Sequence, residues 1–191
     1  MSSKIKILAL AGSTRNGSYN KKLIHVAALA ATDAGAIVTE IDLSDFVMPL
    51  FDGDEFANDG LPGSAQAFKS LVASNDGMLI STPEYNHGIS GVLKNAIDWA
   101  SRKGDDEAPM AAFKGKAAGI MSASPGIYGG VHALSQLRLI LTGVKVLVVP
   151  EQMALSGAGK AFDGEGALSN PELEGTAAGI GVALTKLLMK L

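Results

Sequence analysis

Apolar positions along this chain fall into two alternating patterns. Short runs rich in Val, Ile, Leu and Ala occupy residues 5–11, 36–43, 77–82, 117–122 and 144–149, and longer segments of helical period separate them. That alternation predicts βαβ units wound around a parallel sheet of five strands. Four of the runs are almost continuously apolar, as expected for strands covered by helices on both faces, whereas the run at 36–43 carries Thr39, Glu40 and Asp42.

Helices are legible at their ends as well as on their faces. Ser18 is placed to cap a helix with Leu23, Val26, Ala27 and Ala30 on one side, and Gly35 is placed to end it. A second helix starts near Ser90, with Val92, Leu93, Ala96, Ile97, Trp99 and Ala100 as its apolar face. The last has Asn170 at the N-cap, Pro171 at the first helical position, Glu172 and Glu174 in the first turn, and Lys186 and Lys190 toward its end. Residues 44–62, 102–110 and 151–169 are rich in Gly, Asp, Pro or Ser and predict loops; Asp105, Asp106 and Glu107 predict a solvated acidic run.

Length and composition then narrow the function. At 191 residues the chain fits one domain able to bury a core unaided. Hydrophobic residues make up 47% of it, yet no apolar run approaches the roughly 18 needed to span a bilayer. The run at 5–11 is too short for a typical secretory segment and leads into a Gly-rich turn, so a buried strand and a cytoplasmic protein are expected. There is no cysteine, which excludes thiolate metal sites and a cysteine nucleophile, and with it the low-molecular-weight tyrosine phosphatases of similar sheet topology. A net charge of −3 with dispersed basic residues argues against nucleic acid as a partner.

Open parallel sheets bind ligands at the carboxyl ends of their strands, near the point where strand order reverses. Three unusual loops lie at such ends. The first, residues 12–20, combines Gly12, Ser13, Arg15, Gly17, Ser18, Tyr19 and Asn20 just ahead of a helix N-terminus, the makings of a phosphomonoester cradle. It has no Gly-Lys-Ser/Thr, and its Gly-x4-Gly spacing is not the dinucleotide pattern. The second, Pro83, Glu84, Tyr85, Asn86, His87 and Gly88, offers an aromatic ring and backbone donors to a flat heterocycle. The third runs from Ser122 through Ser124, Pro125, Gly126, Ile127 and Tyr128 to Gly129 and Gly130, and its backbone can approach the other edge of such a ring.

These motifs, with the stretch from Gly91 to Trp99 that follows the second, resemble the NADPH-dependent FMN reductase family, which includes bacterial quinone and chromate reductases and azoreductase-like enzymes. The resemblance covers nearly the whole chain. It implies a flavodoxin-like three-layer α/β/α sandwich with a five-stranded parallel sheet in the order 2-1-3-4-5. It implies that Ser13, Arg15, Ser18 and Asn20 hold the phosphate of FMN, with Tyr19 in the same cradle, and that Pro83, Glu84, Tyr85 and Asn86 line the isoalloxazine. Ser122, Ser124, Gly126 and the Gly129-Gly130 pair match the third loop, which meets the polar edge of the ring in the family. NADPH or NADH as co-substrate, a quinone or similar small oxidant as acceptor, a ping-pong mechanism and a homodimer or homotetramer are further implications. The chain departs from several relatives at Val131 and His132, where they carry a basic residue.

No acid–base set is evident, and none is required where a flavin carries the chemistry. His25, His87 and His132 are far apart in sequence and suggest no joint site or metal centre, and Asp98 and Trp99 suggest packing of a helix or a subunit interface. Two rival readings share the fold class. A flavodoxin would carry electrons between proteins, but such carriers are commonly strongly acidic. A Rossmann dehydrogenase would use Glu40 or Asp42 on a ribose, but the first loop lacks the glycine spacing.

Overall fold

The computed structural model describes residues 4–104 and 108–191. The acidic run at 105–107 lies outside them. Strands β1 (Lys6–Ala11), β2 (Ile37–Asp42), β3 (Gly77–Ser81), β6 (Ala117–Ala123) and β7 (Leu147–Leu155) form one parallel sheet in the order β2-β1-β3-β6-β7. Two further strands, β4 (Glu84–Tyr85) and β5 (Gly88–Ile89), form a separate antiparallel hairpin between the third and fourth sheet strands. The expected numbering 2-1-3-4-5 therefore shifts at its end, because the second loop is itself a small β-element. Asn86 and His87 at its tip have φ of 52° and 63°, the paired left-handed conformation of a tight hairpin turn.

Helices cover both faces. On one side lie α1 (Tyr19–Asp33) and α6 (Pro171–Leu188); on the other lie α3 (Gly63–Ser74), α4 (Gly91–Ala100) and α5 (Val131–Gly143). The strand period of two sorts the core between them. Ile7, Ala9 and Ala11 of β1 face α1 and α6, while Leu8 and Leu10 face the other layer; Leu79 opposes Met78 and Ile80 in the same way on β3. Both layers are mainly apolar, and most of the polar side chains of the three loops gather at the strand ends.

Element boundaries differ from expectation where tertiary pairing overrides local composition. The fifth sheet strand begins at Leu147, not Val144, because α5 continues through Gly143 and Lys145 then takes a φ of 72°. It runs on to Leu155 because Gln152–Leu155 pair with Ile120–Ala123 beyond an irregularity in register. Pro150 sits in this irregular stretch of an edge strand, where its missing N–H is tolerated. Within the expected loop at 44–62 lies α2 (Gly53–Asp59), capped by the Asp52 carboxylate, which accepts from the Asp54 and Glu55 amides. It buries no residue, so no apolar stripe announces it.

The buried face of α1 comprises Leu23, Ile24, Ala27, Ala28 and Ala31, with Val26 and Ala30 at its margin. The face is rotated from the expected one because α1 packs against α6 as well as the sheet. Gly35 follows the helix with a φ of 103°, and Asn170 caps α6 through its side-chain oxygen, both as expected. Trp99 is 1% exposed, donates its indole N–H to the Pro49 carbonyl at 2.8 Å and packs edge-on to Phe51. It is a core residue holding the segment before α2, and the α4 face is filled within the chain. Among the described residues no helix is long and apolar enough to cross a membrane.

Candidate functional site

Strand order reverses at β1, whose two neighbours β2 and β3 leave by opposite sides, and the three loops meet at the carboxyl ends there. They enclose a cleft of about 230 Å³ lined by Ser13, Arg15, Ser18, Tyr19 and Asn20 from the first loop, Pro83, Glu84 and Tyr85 from the second, and Ala123, Ser124 and Pro125 from the third. Nine of the expected site residues therefore share one cavity. A wider groove along β7 and α6 lies away from these loops and is mostly apolar.

The first loop ends at the N-terminus of α1, whose leading amides have no carbonyl one turn earlier to bond. Ser18 occupies the N-cap position, but its hydroxyl makes no capping hydrogen bond, contrary to the expected role. The Lys21 and Lys22 amides bond the Ser18 carbonyl, while the helix start and the unspent Ser18 hydroxyl line the cleft together with Arg15, a donor set suited to a dianionic phosphate. Tyr19 lines the cleft and also stacks on Phe162, at 6.2 Å between ring centroids, which fixes the segment after β7 against α1.

Asn20 does more than line the cavity. It is 3% exposed, its Nδ2 donates to the Ala123 carbonyl at 2.9 Å, and its Oδ1 accepts from the Ala123 amide at 2.9 Å and from Ser81 Oγ at 2.7 Å. One side chain thereby joins the start of α1 to the ends of β3 and β6. Ser90 performs a matching task on the other flank. It caps α4 at the Leu93 amide and donates its hydroxyl to the Gly12 carbonyl at 2.6 Å. A Cβ on Gly12 would come within 2.9 Å of the Leu93 side chain, so glycine there permits the close approach of α4.

Ser122, Gly126, Gly129 and Asn86 do not line the cavity. Ser122 is fully buried, and its hydroxyl donates to the Thr82 carbonyl at 2.6 Å, bracing the second loop from below. Gly126 stands beside the cavity, its amide on Ser124 Oγ at 3.2 Å. A Cβ on Gly129 would lie 2.6 Å from the Ala154 carbonyl oxygen, and one on Gly130 1.8 Å from Ser122 Oγ. This glycine pair therefore answers a packing demand. Ala123 and Pro125 of the third loop also line the cavity, Ala123 contributing through its backbone, which no side-chain signal reveals.

Glu84 reaches from the cleft to the start of α5, where Oε2 accepts from the His132 and Ala133 amides at 2.9 and 3.1 Å. Burial alone would raise its carboxyl, but the Ala133 amide, the His132 side chain and the His132 amide hold it below its ordinary range. The same contact draws His87 and His132 together, with their Nδ1 atoms 3.2 Å apart, despite their separation in sequence. Glu40 and Asp42, the acids a dehydrogenase would need, are engaged elsewhere: Glu40 with His25 at 3.0 Å, and Asp42 with Lys21 and the Ser44 amide.

Residues 5–160 match the family model described as NADPH-dependent FMN reductase. An NAD(P)H-dependent FMN reductase of Pseudomonas aeruginosa is 40% identical over 170 residues, covering 88% of this chain and 86% of that protein. A quinone reductase of Escherichia coli strain K12 is 34% identical over 160 residues, covering 82% and 80%. Among solved structures, the flavoenzyme NAD(P)H:(acceptor) oxidoreductase FerB of Paracoccus denitrificans superposes with a TM-score of 0.82 at 26% identity, over 97% of this chain and 98% of that one. On the fold, the cleft and these likenesses together, this chain belongs to the NADPH-dependent FMN reductase family.

Proposed function

We propose that this chain is an FMN-dependent NAD(P)H oxidoreductase that delivers two electrons to quinones or similar small oxidants. The observation that carries the reading is the cleft itself, in which a phosphate-type donor set and a ring-facing hairpin converge from loops distant in sequence. Ser13, Arg15 and Ser18, with the first amides of α1, hold the phosphate; Asn20 keeps that cradle in register with the third loop. Pro83, Glu84 and Tyr85 line one side of the ring site, and Ser124 and Pro125 the other. Asn86, Ser122, Gly126 and Gly129 support those loops. When bound, the flavin supplies the hydride chemistry, and the protein supplies placement and electrostatics.

Tyr85 is 53% exposed, which leaves the ring side of the cleft open for flat substrates to arrive from solvent. Nicotinamide and oxidant use this space in turn, a ping-pong order. The names of the relatives support both substrates: the P. aeruginosa protein is an NAD(P)H-dependent FMN reductase and the E. coli protein a quinone reductase. A homodimer or homotetramer in the cytoplasm is part of the same reading. The exposed Ile127 and Tyr128 beside the cleft support subunit contact better than α4, whose face is already filled.

Anaerobic mixing of the flavin-loaded protein with NADPH or NADH tests the function. The visible flavin absorbance should bleach rapidly, a quinone should restore it, and steady-state double-reciprocal lines for the two substrates should be parallel. Slow or absent bleaching with both dinucleotides would transfer the case to an electron carrier of flavodoxin type. Light scattering should show more than one chain per particle.

A further inference from the structure

We propose that Glu84, His87 and His132 form a binding site for one zinc ion per chain at the rim of the cleft. Each residue offers one ligand atom, and these atoms lie within 4.8 Å of one another. The three separations are 3.2 Å between the two histidine Nδ1 atoms, 3.1 Å from His132 Nδ1 to Glu84 Oε1, and 3.8 Å from His87 Nδ1 to the same oxygen. Zinc bonds of 2.0–2.2 Å at a tetrahedral centre place neighbouring ligand atoms about 3.3–3.6 Å apart. The triangle has the dimensions of one face of that tetrahedron.

Proton bookkeeping points the same way. A hydrogen placed between the two Nδ1 atoms on His87 leaves His132 Nδ1 facing the carboxylate oxygen, lone pair to lone pair. A hydrogen on His132 directed at Glu84 is at best shared with the His87 Nδ1 lone pair. A single divalent cation satisfies all three lone pairs together. Two imidazoles and a carboxylate are also a ligand set that borderline divalent metals favour over calcium or magnesium.

The ligands are held by contacts outside the triangle, as metal ligands commonly are. The other oxygen of Glu84 is fixed by the His132 and Ala133 amides. His87 is held in the left-handed region at φ 63° by the hairpin turn, and Tyr128 packs edge-on against His132 at 5.5 Å. The Ile89 amide donates to Gln136 at 3.1 Å, which docks the hairpin on α5 independently of the histidines. His87 and His132 are 72% and 44% exposed at their side chains, so the fourth position faces solvent. Because Glu84 and Tyr85 also line the cleft, an ion here ties the ring-facing hairpin to α5.

This inference does not rest on the flavin reading, and its test does not use turnover. Calorimetric titration of the purified holoprotein with zinc chloride, in a buffer that does not chelate, should show one site per chain. His87→Asn, which keeps a side chain tolerant of positive φ, and His132→Ala should each weaken binding by at least about tenfold, since even residues behind metal ligands cost ten- to a hundredfold. His25→Ala should leave it unchanged. Circular dichroism confirms that each variant is folded. No heat of binding in the wild type up to about 100 µM zinc, equal affinity in His87→Asn and His132→Ala, loss in His25→Ala, or half an ion per chain would overturn the proposal.

Discussion

Asn20 and Ala123, 103 positions apart, clasp each other reciprocally, amide to carbonyl and carbonyl to amide, both at 2.9 Å. The pair ties the start of α1 to the third loop, and Ser81 Oγ, 2.7 Å from Asn20 Oδ1, adds the strand between them.

Asn20→Ala should therefore destabilise the fold as well as the site. It leaves the Ala123 amide, the Ala123 carbonyl and the Ser81 hydroxyl without their partner in a buried setting. At about 1–3 kcal/mol for each unsatisfied group, and with incomplete additivity, a loss of about 3 kcal/mol is expected. Urea denaturation of the apoprotein measures it, and a change within the fitting error would mean that solvent replaces the side chain.

Arg15→Ala should show the opposite profile. Arg15 is exposed and lines the cleft, so the domain should keep its stability while FMN binding weakens. A charge-assisted hydrogen bond contributes roughly 1.5–3 kcal/mol, equivalent to about ten- to a hundredfold in dissociation constant. Fluorescence titration of apoprotein with FMN is the measurement; an unchanged constant in a folded variant places the phosphate elsewhere.

Gly130→Ala should be strongly destabilising, because φ is 97° and the new Cβ would overlap Ser122 Oγ. Backbone strain and overpacking together suggest at least about 2 kcal/mol. Adding Ser122→Ala should recover only part of it, since the Ser122 Cβ would remain 2.7 Å away and φ is unaltered. Thermal melts of the two single variants and the double variant give the coupling directly. Full recovery would show that only the hydroxyl matters.

The Lys21–Asp42 pair gives a pH dependence of known sign. Burial would raise the Asp42 carboxyl, but the Lys21 and Ser44 hydrogen bonds hold it below its usual value of 3.8. Its folded-state affinity for a proton is thus weaker than in the unfolded chain. The contribution is present in full above about 3.8 and is lost as pH falls through the depressed folded value. Lys21→Met should flatten the acid limb of the stability–pH curve while altering its slope near neutrality little. Denaturation midpoints across the acid range decide it, and parallel curves for wild type and variant would refute the assignment.

The sequence by itself determined the layered βαβ architecture and marked the loops after strands one, three and four, from which the structure gathers nine of the named residues into one cleft. Those features are local: an apolar run of strand length, a helix start marked by Asn170-Pro171, or a Gly-Ser-Thr-Arg turn carries its own signal. What only the tertiary structure decided is how side chains are shared across the chain. Ser18 takes the N-cap position without its hydroxyl making the capping bond, and Asn20, read from the sequence as a ligand, clasps the third loop. Of the two roles Trp99 suggests, helix packing or an interface, the structure shows the first, with the indole closed under Pro49, and His87 and His132 become neighbours through a hairpin and a helix end 45 positions apart. Each of these depends on which backbone amides and carbonyls the sheet brings opposite a side chain, and backbone groups are identical at every residue. Residue type can therefore announce a donor or acceptor, but only the packed chain decides which partner it meets.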